Sequence, residues 1–233
     1  MARKEIPVPR WIDAAKWSKD PGDDAMAGGE HYLATLKRLH KKVRPKNYLE
    51  IGVRNGHSLA LASCASVGID PDPQITEPLK RKHRVVTSTS DDYFETTENI
   101  ATIDLAFIDG MHLAEFALRD FINVEANARP GAVVVIDDIF PNTPAQAERA
   151  RQTRVWMGDI WKLPVLLEKY RPDLSLTYAN TLPSGLLIIR GLDPQNTVLS
   201  DNYDAILDQI ETMTKVPADV LERTRAVAPE AAF

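Results

Sequence analysis

From about residue 47 to residue 190, short apolar runs alternate with stretches of mostly helical character. The runs are YLEIG (48–52), SVGID (66–70), RVVTS (84–88), IDLAFID (103–109), AVVVIDD (132–138), LSLTYAN (174–180) and GLLIIR (185–190). Each is rich in Val, Ile or other apolar residues and too short for a helix. Leu113–Ala128 is the clearest helix, with Leu113, Phe116, Ala117, Phe121 and Val124 on one face. Near-continuous apolar strands joined by helices predict a parallel sheet covered on both faces. Right-handed crossovers then give a doubly wound α/β fold. The last two runs meet at Pro183–Ser184–Gly185 and predict an antiparallel hairpin at one edge. The expected sheet is therefore seven-stranded and mainly parallel.

Residues 1–46 read as a helical leader or lid, with one amphipathic helix near Glu30–Lys42 that spaces Tyr32, Leu33, Leu36 and Leu39 at helical intervals. Residues 47–192 form the predicted α/β domain. Residues 193–233 read as a helical tail on the same domain, with helices near Asp201–Met213 and Pro217–Ala226.

Nearly every predicted strand ends in polar or acidic residues: Glu50 with Gly52, Asp70, Ser88 to Asp91, Asp109, and Asp137 with Asp138. In a parallel sheet those ends share one edge, where the ligands of doubly wound folds bind. Gly52 and Gly56 flank the turn after the first run and allow close backbone approach to a ligand. The loop lacks the third glycine of a dinucleotide fingerprint. Glu50 would repel a pyrophosphate but suits a cationic amino acid or a sulfonium. Asp70 follows about 20 residues later, where an acid accepts ribose hydroxyls.

LEIGVRNGHSLALA followed by VGIDPD resembles the first two motifs of class I S-adenosylmethionine (SAM)-dependent methyltransferases. The resemblance extends over about Asn47 to Arg190. It implies SAM as cofactor, with Glu50, Gly52 and Gly56 near the methionine moiety and Asp70 on the ribose. Asn55, Ser58, Asp109 and Met111 join that implied cofactor set. Asp91 is expected either near the adenine or as a helix N-cap together with Ser90, and His57 and Ser58 open and cap the helix after the glycine loop.

The second cluster is Asp109-Gly110-Met111-His112 after the fourth run, with Asp137-Asp138 ending the fifth. Three converging carboxylates repel one another unless a cation neutralises them. Oxygen ligands favour a hard ion such as Mg2+. Such an ion lowers the pKa of a hydroxyl, whose proton a nearby histidine can take. Adjacent strand residues point to opposite faces, so Asp137 and Asp138 both reach one ion only if the strand has already become loop. The alternative is that the pair caps a helix at Thr143–Met157.

D-G-x-H followed by D-D resembles the metal-dependent sugar O-methyltransferases of the macrocin and mycinamicin type, and relatives acting on bacterial polysaccharide sugars. That resemblance implies Asp109, Asp137 and Asp138 as Mg2+ ligands and His112 as the base. It also implies an acceptor that is a small molecule or oligosaccharide. Trp156, Asp159, Trp161 and Lys162 fall where such enzymes place acceptor lids. They read equally as a buried helix end with both tryptophans in the core.

Composition narrows the partners. The net charge is -5 over 233 residues, which disfavours duplex nucleic acid as a partner. A base N-methyltransferase is further disfavoured because DGMH stands where (N/D)PP(Y/F) would be. Cys64 is the one cysteine, so no internal disulfide or zinc cluster is expected. MARKEIPVPRWID has no signal-peptide core, and no run is long enough to span a bilayer. A cytoplasmic enzyme is expected, with a homodimer as its assembly. His31, His40 and His83 are expected at the surface. The competing readings are a catechol or phenol O-methyltransferase, which would use Lys rather than His as base, an NAD-binding oxidoreductase, and a SAM-binding protein with a dead site.

Overall fold

The structure, a computed structural model, describes residues 20–233. The first part of the predicted leader, including the MARKEIPVPRWID segment, lies outside the described residues. The described chain begins with a short 3-10 turn at Pro21–Asp24 and the two-residue strand β1 (Glu30–His31). Helix α1 (Tyr32–Val43) follows, capped by His31 at its start and ended by Arg44 in the left-handed region. Its last turn carries Lys41 and Lys42, whose charges suit the negative end of the helix dipole.

The central strands are β2 (Asn47–Ile51), β3 (Ala65–Asp70), β4 (His83–Thr87), β5 (Ile103–Ile108) and β6 (Ala128–Ile136). Helix α2 (Ser90–Thr96) precedes β5, and α3 (Ala114–Ala126) joins β5 to β6. After a long loop come α4 (Lys162–Tyr170), β7 (Ser175–Ala179), the short β8 (Thr181–Leu182) and β9 (Leu186–Arg190). The tail holds α5 (Val198–Asp201), α6 (Tyr203–Thr212) and α7 (Ala218–Leu221).

The seven-stranded sheet has the order β4-β3-β2-β5-β6-β9-β7. Its strands run parallel except β9, which inserts antiparallel between β6 and β7. The expected hairpin is therefore present, folded back so that its second strand touches the parallel core. Strand order reverses between β2 and β5, which places the C-terminal ends of these strands at the switch point of the sheet.

Alternation in the strands sorts the core into two faces. Leu49, Ile51, Ala106, Ile108, Val134 and Ile136 face α3, α4 and α6. Tyr48, Leu105, Phe107, Val133 and Val135 face Leu36 and Leu39 of α1, together with Val53 and Leu59 of the loop after β2. Among the described residues no helix is long and apolar enough to cross a membrane.

Four stretches expected to be helical lack a helix or keep a short one. The β2–β3 connection contains only a 3-10 turn at Leu59–Leu61, so His57 and Ser58 cap no α-helix. The β3–β4 connection has none, because Pro71, Pro73 and Pro78 interrupt it. Thr143–Met157 forms only the 3-10 turn Pro144–Ala147, so Asp137 and Asp138 cap no helix there. In the tail, Pro217–Ala226 keeps one short helix, α7. His40 is buried, packed edge-on against Tyr48 at 4.6 Å between ring centroids, rather than at the surface.

Candidate active site

The site is built from backbone approach first. Gly52 leaves β2 with φ of 85°, and a Cβ there would stand 1.8 Å from the carbonyl oxygen of Asp109. Only glycine lets the two loops meet. The Asp109 amide donates to Ile51 O at 2.8 Å, and the Gly52 amide to Ile69 O at 2.9 Å, locking the ends of β2, β3 and β5 together. Gly56, also in the left-handed region, lies under the side chains of Ile75 and Leu79. The Asn55 carbonyl receives the amides of Thr76 and Glu77, which folds the β3–β4 connection over this loop.

Asp70 ends β3 beside that loop. Its two carboxylate oxygens receive the Arg54 amide at 2.7 Å and the Asp72 amide at 2.8 Å. Each oxygen keeps a further acceptor position.

Other members of the expected cofactor set turn inward. Glu50 is fully buried, and its carboxylate accepts Tyr48 Oη and Ser58 Oγ, each at 2.6 Å. Burial pushes the Glu50 pKa up to about 8, against those two hydrogen bonds. Glu50 and Ser58 thus brace the glycine loop and present no oxygen to a ligand, which corrects the direct-contact expectation. Asp91 forms a bidentate ion pair with Arg119, whose guanidinium also donates to Tyr203 Oη. The N-cap of α2 is Thr89, not Ser90 or Asp91. The Asp91 carboxylate therefore ties α2 to α3.

The second cluster gathers beside Gly52. Asp109, His112 and Asp138 bring one ligand atom each to within 4.8 Å of one another. His112 Nε2 lies 3.3 Å from Asp109 Oδ1, and Nδ1 lies 2.9 Å from Asp138 Oδ2. Nδ1 is also 2.8 Å from the Trp156 carbonyl oxygen. A carbonyl only accepts, so Nδ1 carries hydrogen. Burial opposes protonation of His112, but the Asp138 charge and the hydrogen bonds to Asp109 and Asp138 outweigh it and hold its pKa well above the ordinary value. Both His112 and Asp138 adopt positive φ, 57° and 65°. Strand β6 ends at Ile136, so Asp138 leaves the strand and swings toward β5.

Asp137 lines the same cavity but is not one of the three residues whose ligand atoms lie within 4.8 Å of one another. Its Oδ1 accepts Ser184 Oγ at 2.7 Å and the Asp138 amide at 2.8 Å. Burial, with the charges of Asp138 and Asp109, raises its pKa. The residue that stands between Asp109 and Asp138 is His112, with one ring nitrogen toward each carboxylate.

A cavity of about 10 Å3 lies among Asp109, His112, Asp120, Asp137 and Asp138, with Met111 also on its wall. That is room for one water or one ion. The carboxylate oxygens of Asp109 and Asp138 are donors that a hard divalent cation accepts. The residues present therefore fit a single divalent cation.

Trp156 stacks on His112, with ring centroids 5.3 Å apart and planes 11° from parallel. Gly158, with φ of 60°, permits this approach, because a Cβ there would stand 1.8 Å from the His112 carbonyl oxygen. The rest of the expected acceptor segment is interior. Asp159 accepts the Ala114 amide and pairs with Arg149 at 2.5 Å and Lys162 at 2.8 Å. Lys162 Nζ also donates to Ile210 O, and Trp161 is only 3% exposed. Asp159, Trp161 and Lys162 are accordingly corrected from acceptor contacts to core, while Trp156 stays on the rim.

Sequence reasoning missed Asp120, Ser184 and Tyr32. Asp120 sits on the apolar face of α3, three residues after Ala117 and four before Val124, and a carboxylate at that position was the available signal. Burial raises its pKa to about 7, countered by a hydrogen bond from Ser90. Ser184 and Tyr32 reach the site through tertiary contacts that no local pattern encodes.

Residues 49–139 match a protein family described as a methyltransferase domain. Sequence comparison with curated proteins finds no match. Among solved structures, cofactor-bound Rv0187 from MTB is similar at 19% identity and TM-score 0.56, covering 70% of this chain and 80% of that one. An O-methyltransferase from Bacillus cereus in complex with SAH aligns at 16% identity and TM-score 0.53, covering 68% and 80%. The O-methyltransferase TomG from Streptomyces achromogenes, involved in tomaymycin synthesis and solved with SAM, aligns at 18% identity and TM-score 0.51, covering 70% and 80%. The fold is that of class I methyltransferases.

Proposed function

We propose that the chain is a SAM-dependent O-methyltransferase that uses a divalent cation, Mg2+ or similar, and methylates a sugar hydroxyl. The observation that carries this reading is one juxtaposition. The Gly52 turn of the cofactor-type loop touches the backbone of Asp109, and Asp109 belongs to the cluster with His112 and Asp138. A methyl donor over the glycine loop and a hydroxyl at the acid cluster would then be neighbours. The methyltransferase-domain match over residues 49–139 supports the donor.

Asp109 and Asp138, with His112 beside them, would hold the cation, and Asp137 would brace the turn that presents Asp138. When bound, the cation would supply Lewis acidity to the acceptor hydroxyl and relieve the negative field that holds the His112 proton. The Nδ1 hydrogen of His112 is kept by Trp156 O and Asp138, which leaves Nε2 as the proton acceptor. His112 Nε2 takes the hydroxyl proton, the oxygen bonds to the methyl carbon, and the carbon–sulfur bond of the sulfonium breaks. The products are a methyl ether, S-adenosylhomocysteine (SAH) and a protonated His112. Asp70 would hold the ribose, Trp156 would flank the acceptor sugar, and a histidine base, where catechol-type enzymes use lysine, matches the sugar-type relatives.

The test is transfer of labelled methyl from SAM to parallel panels of saccharides and catechols, with Mg2+ and with EDTA. Turnover of saccharides that EDTA abolishes is expected. His112→Ala is expected to lower that turnover by roughly a hundred- to ten-thousandfold, the size of a general-base contribution. Turnover that persists in EDTA overturns the metal assignment, and turnover of catechols alone overturns the sugar assignment.

A further inference from the structure

The leader helix brings one side chain to the site that the mechanism above does not use. Tyr32 is the first residue of α1, held at the C-terminal edge of the sheet from both sides. Behind it, β1 pairs with β8, placing His31 opposite Leu182, two residues from the Ser184 that supports Asp137. Beside it, the Tyr32 ring lies nearly parallel to Phe107, with centroids 6.0 Å apart. Phe107 precedes Asp109 by two residues on β5.

The segment ahead of Tyr32 is tied to the same edge. Gln146 donates to the carbonyls of Asp23 and Ala25, the Ala27 amide reaches Asn142, and the Val155 amide reaches Asp24. The ring is thus fixed while its hydroxyl makes no hydrogen bond to any described residue. The ring packs on the apolar cluster that holds Phe107 and Val53, the residue after Gly52. The side chain thus stands beside the glycine loop and the β5 end that leads to Asp109, in the field of Asp109, Asp137, Glu50 and Asp138. Burial and these carboxylates hold its proton well above the ordinary phenol range, which makes Tyr32 a donor and not a base.

A donor among carboxylates has a chemical use if the ligand carries its own carboxylate there. The amino-acid end of SAM is a zwitterion. Surrounding acids favour its ammonium but disfavour its carboxylate, which needs a hydrogen bond to compensate. We propose that Tyr32 is a cofactor-binding residue whose hydroxyl donates to the methionine carboxylate of SAM. This rests on the reading of the site as a SAM site.

The test compares two ligands that share the adenosine and differ in the amino-acid group: SAH, and 5′-methylthioadenosine, which has no carboxylate. Calorimetric titration is done with the full chain and with Tyr32→Phe, which keeps the stack on Phe107. The expected result is a loss of roughly tenfold in SAH affinity for Tyr32→Phe, the usual size for one hydrogen bond to a charged group, with methylthioadenosine affinity unchanged. Equal losses for both ligands would mean a general disturbance of the site and overturn the proposal. Unchanged affinity for both would also overturn it. If the unaltered chain binds neither ligand, the SAM reading itself fails, a result distinct from the failure of Tyr32.

Discussion

Gly52 and Asp109 share a space that holds no Cβ: one built on the glycine would lie 1.8 Å from the aspartate's carbonyl oxygen. The glycine that shapes the cofactor loop thus also sets the height of the acid that opens the second cluster. Gly52→Ala adds a backbone cost of about 1–2 kcal/mol for a left-handed alanine and a clash that only a shift of one loop relieves. The expected outcome is a fall in unfolding free energy of more than about 2 kcal/mol with loss of SAH binding, read by denaturant unfolding and calorimetry. An alanine variant of unchanged stability and affinity would show that the loops do not meet in this way.

His112 without a cation is an imidazolium clasped by two carboxylates. Its raised pKa means that the ion pairs contribute stability in full below the ordinary histidine value of about 6.5, and lose that contribution as pH rises through the folded-state value. NMR titration of the imidazole in EDTA is expected to give a midpoint above 6.5, falling in Asp138→Asn and on addition of Mg2+. A midpoint at or below 6.5 in EDTA would refute the clasp.

Glu50 leads to the opposite assignment for a residue that looks like a ligand contact in the sequence. Its folded pKa of about 8 lies above the unfolded value of 4.5. The unfolded chain therefore gives up this proton first, and stability falls as pH rises from 4.5 to 8, by about 1.4 kcal/mol per pH unit from this group. Above pH 8 the contribution is flat. Glu50→Gln keeps a neutral group in place, so urea unfolding between pH 5 and 8 is expected to show a shallower pH dependence than the unaltered chain. Equal slopes would mean that Glu50 is ionised and exposed to the crevice.

What the sequence made legible follows from the range of the interactions. The seven strands stand within a few residues of their apolar runs, because a parallel strand covered on both faces must be apolar throughout. The helices failed where prolines outweighed apolar spacing, at Pro71, Pro73 and Pro78 and again at Pro141 and Pro144. Asp109 and Asp138 were readable as strand-end acids. The placing of His112 between them was not, since it depends on positive φ at His112 and Asp138 and on a hydroxyl from Ser184 46 positions beyond Asp138. Tyr32 was readable only as an apolar position of an amphipathic helix, because its surroundings come from β5 and β8.

Trp156 and Asp159 lie three residues apart and separate function from scaffolding. Asp159 has no exposed surface and balances Arg149 and Lys162 while capping the amide of Ala114. Removing one member of a buried charge group leaves its partners uncompensated and costs about 3–5 kcal/mol. Asp159→Asn is expected to lose stability on that scale by chemical unfolding. Trp156 lies at the rim, where its ring covers His112 and its backbone carbonyl holds Nδ1. Trp156→Ala keeps the carbonyl and removes the stack, so stability should change by less than about 1 kcal/mol. Methyl transfer should fall at least tenfold, while SAH affinity is retained. If Asp159→Asn is as stable as the unaltered chain but inactive, Asp159 belongs to the acceptor site after all; if Trp156→Ala is fully active, the ring is only a cover for His112.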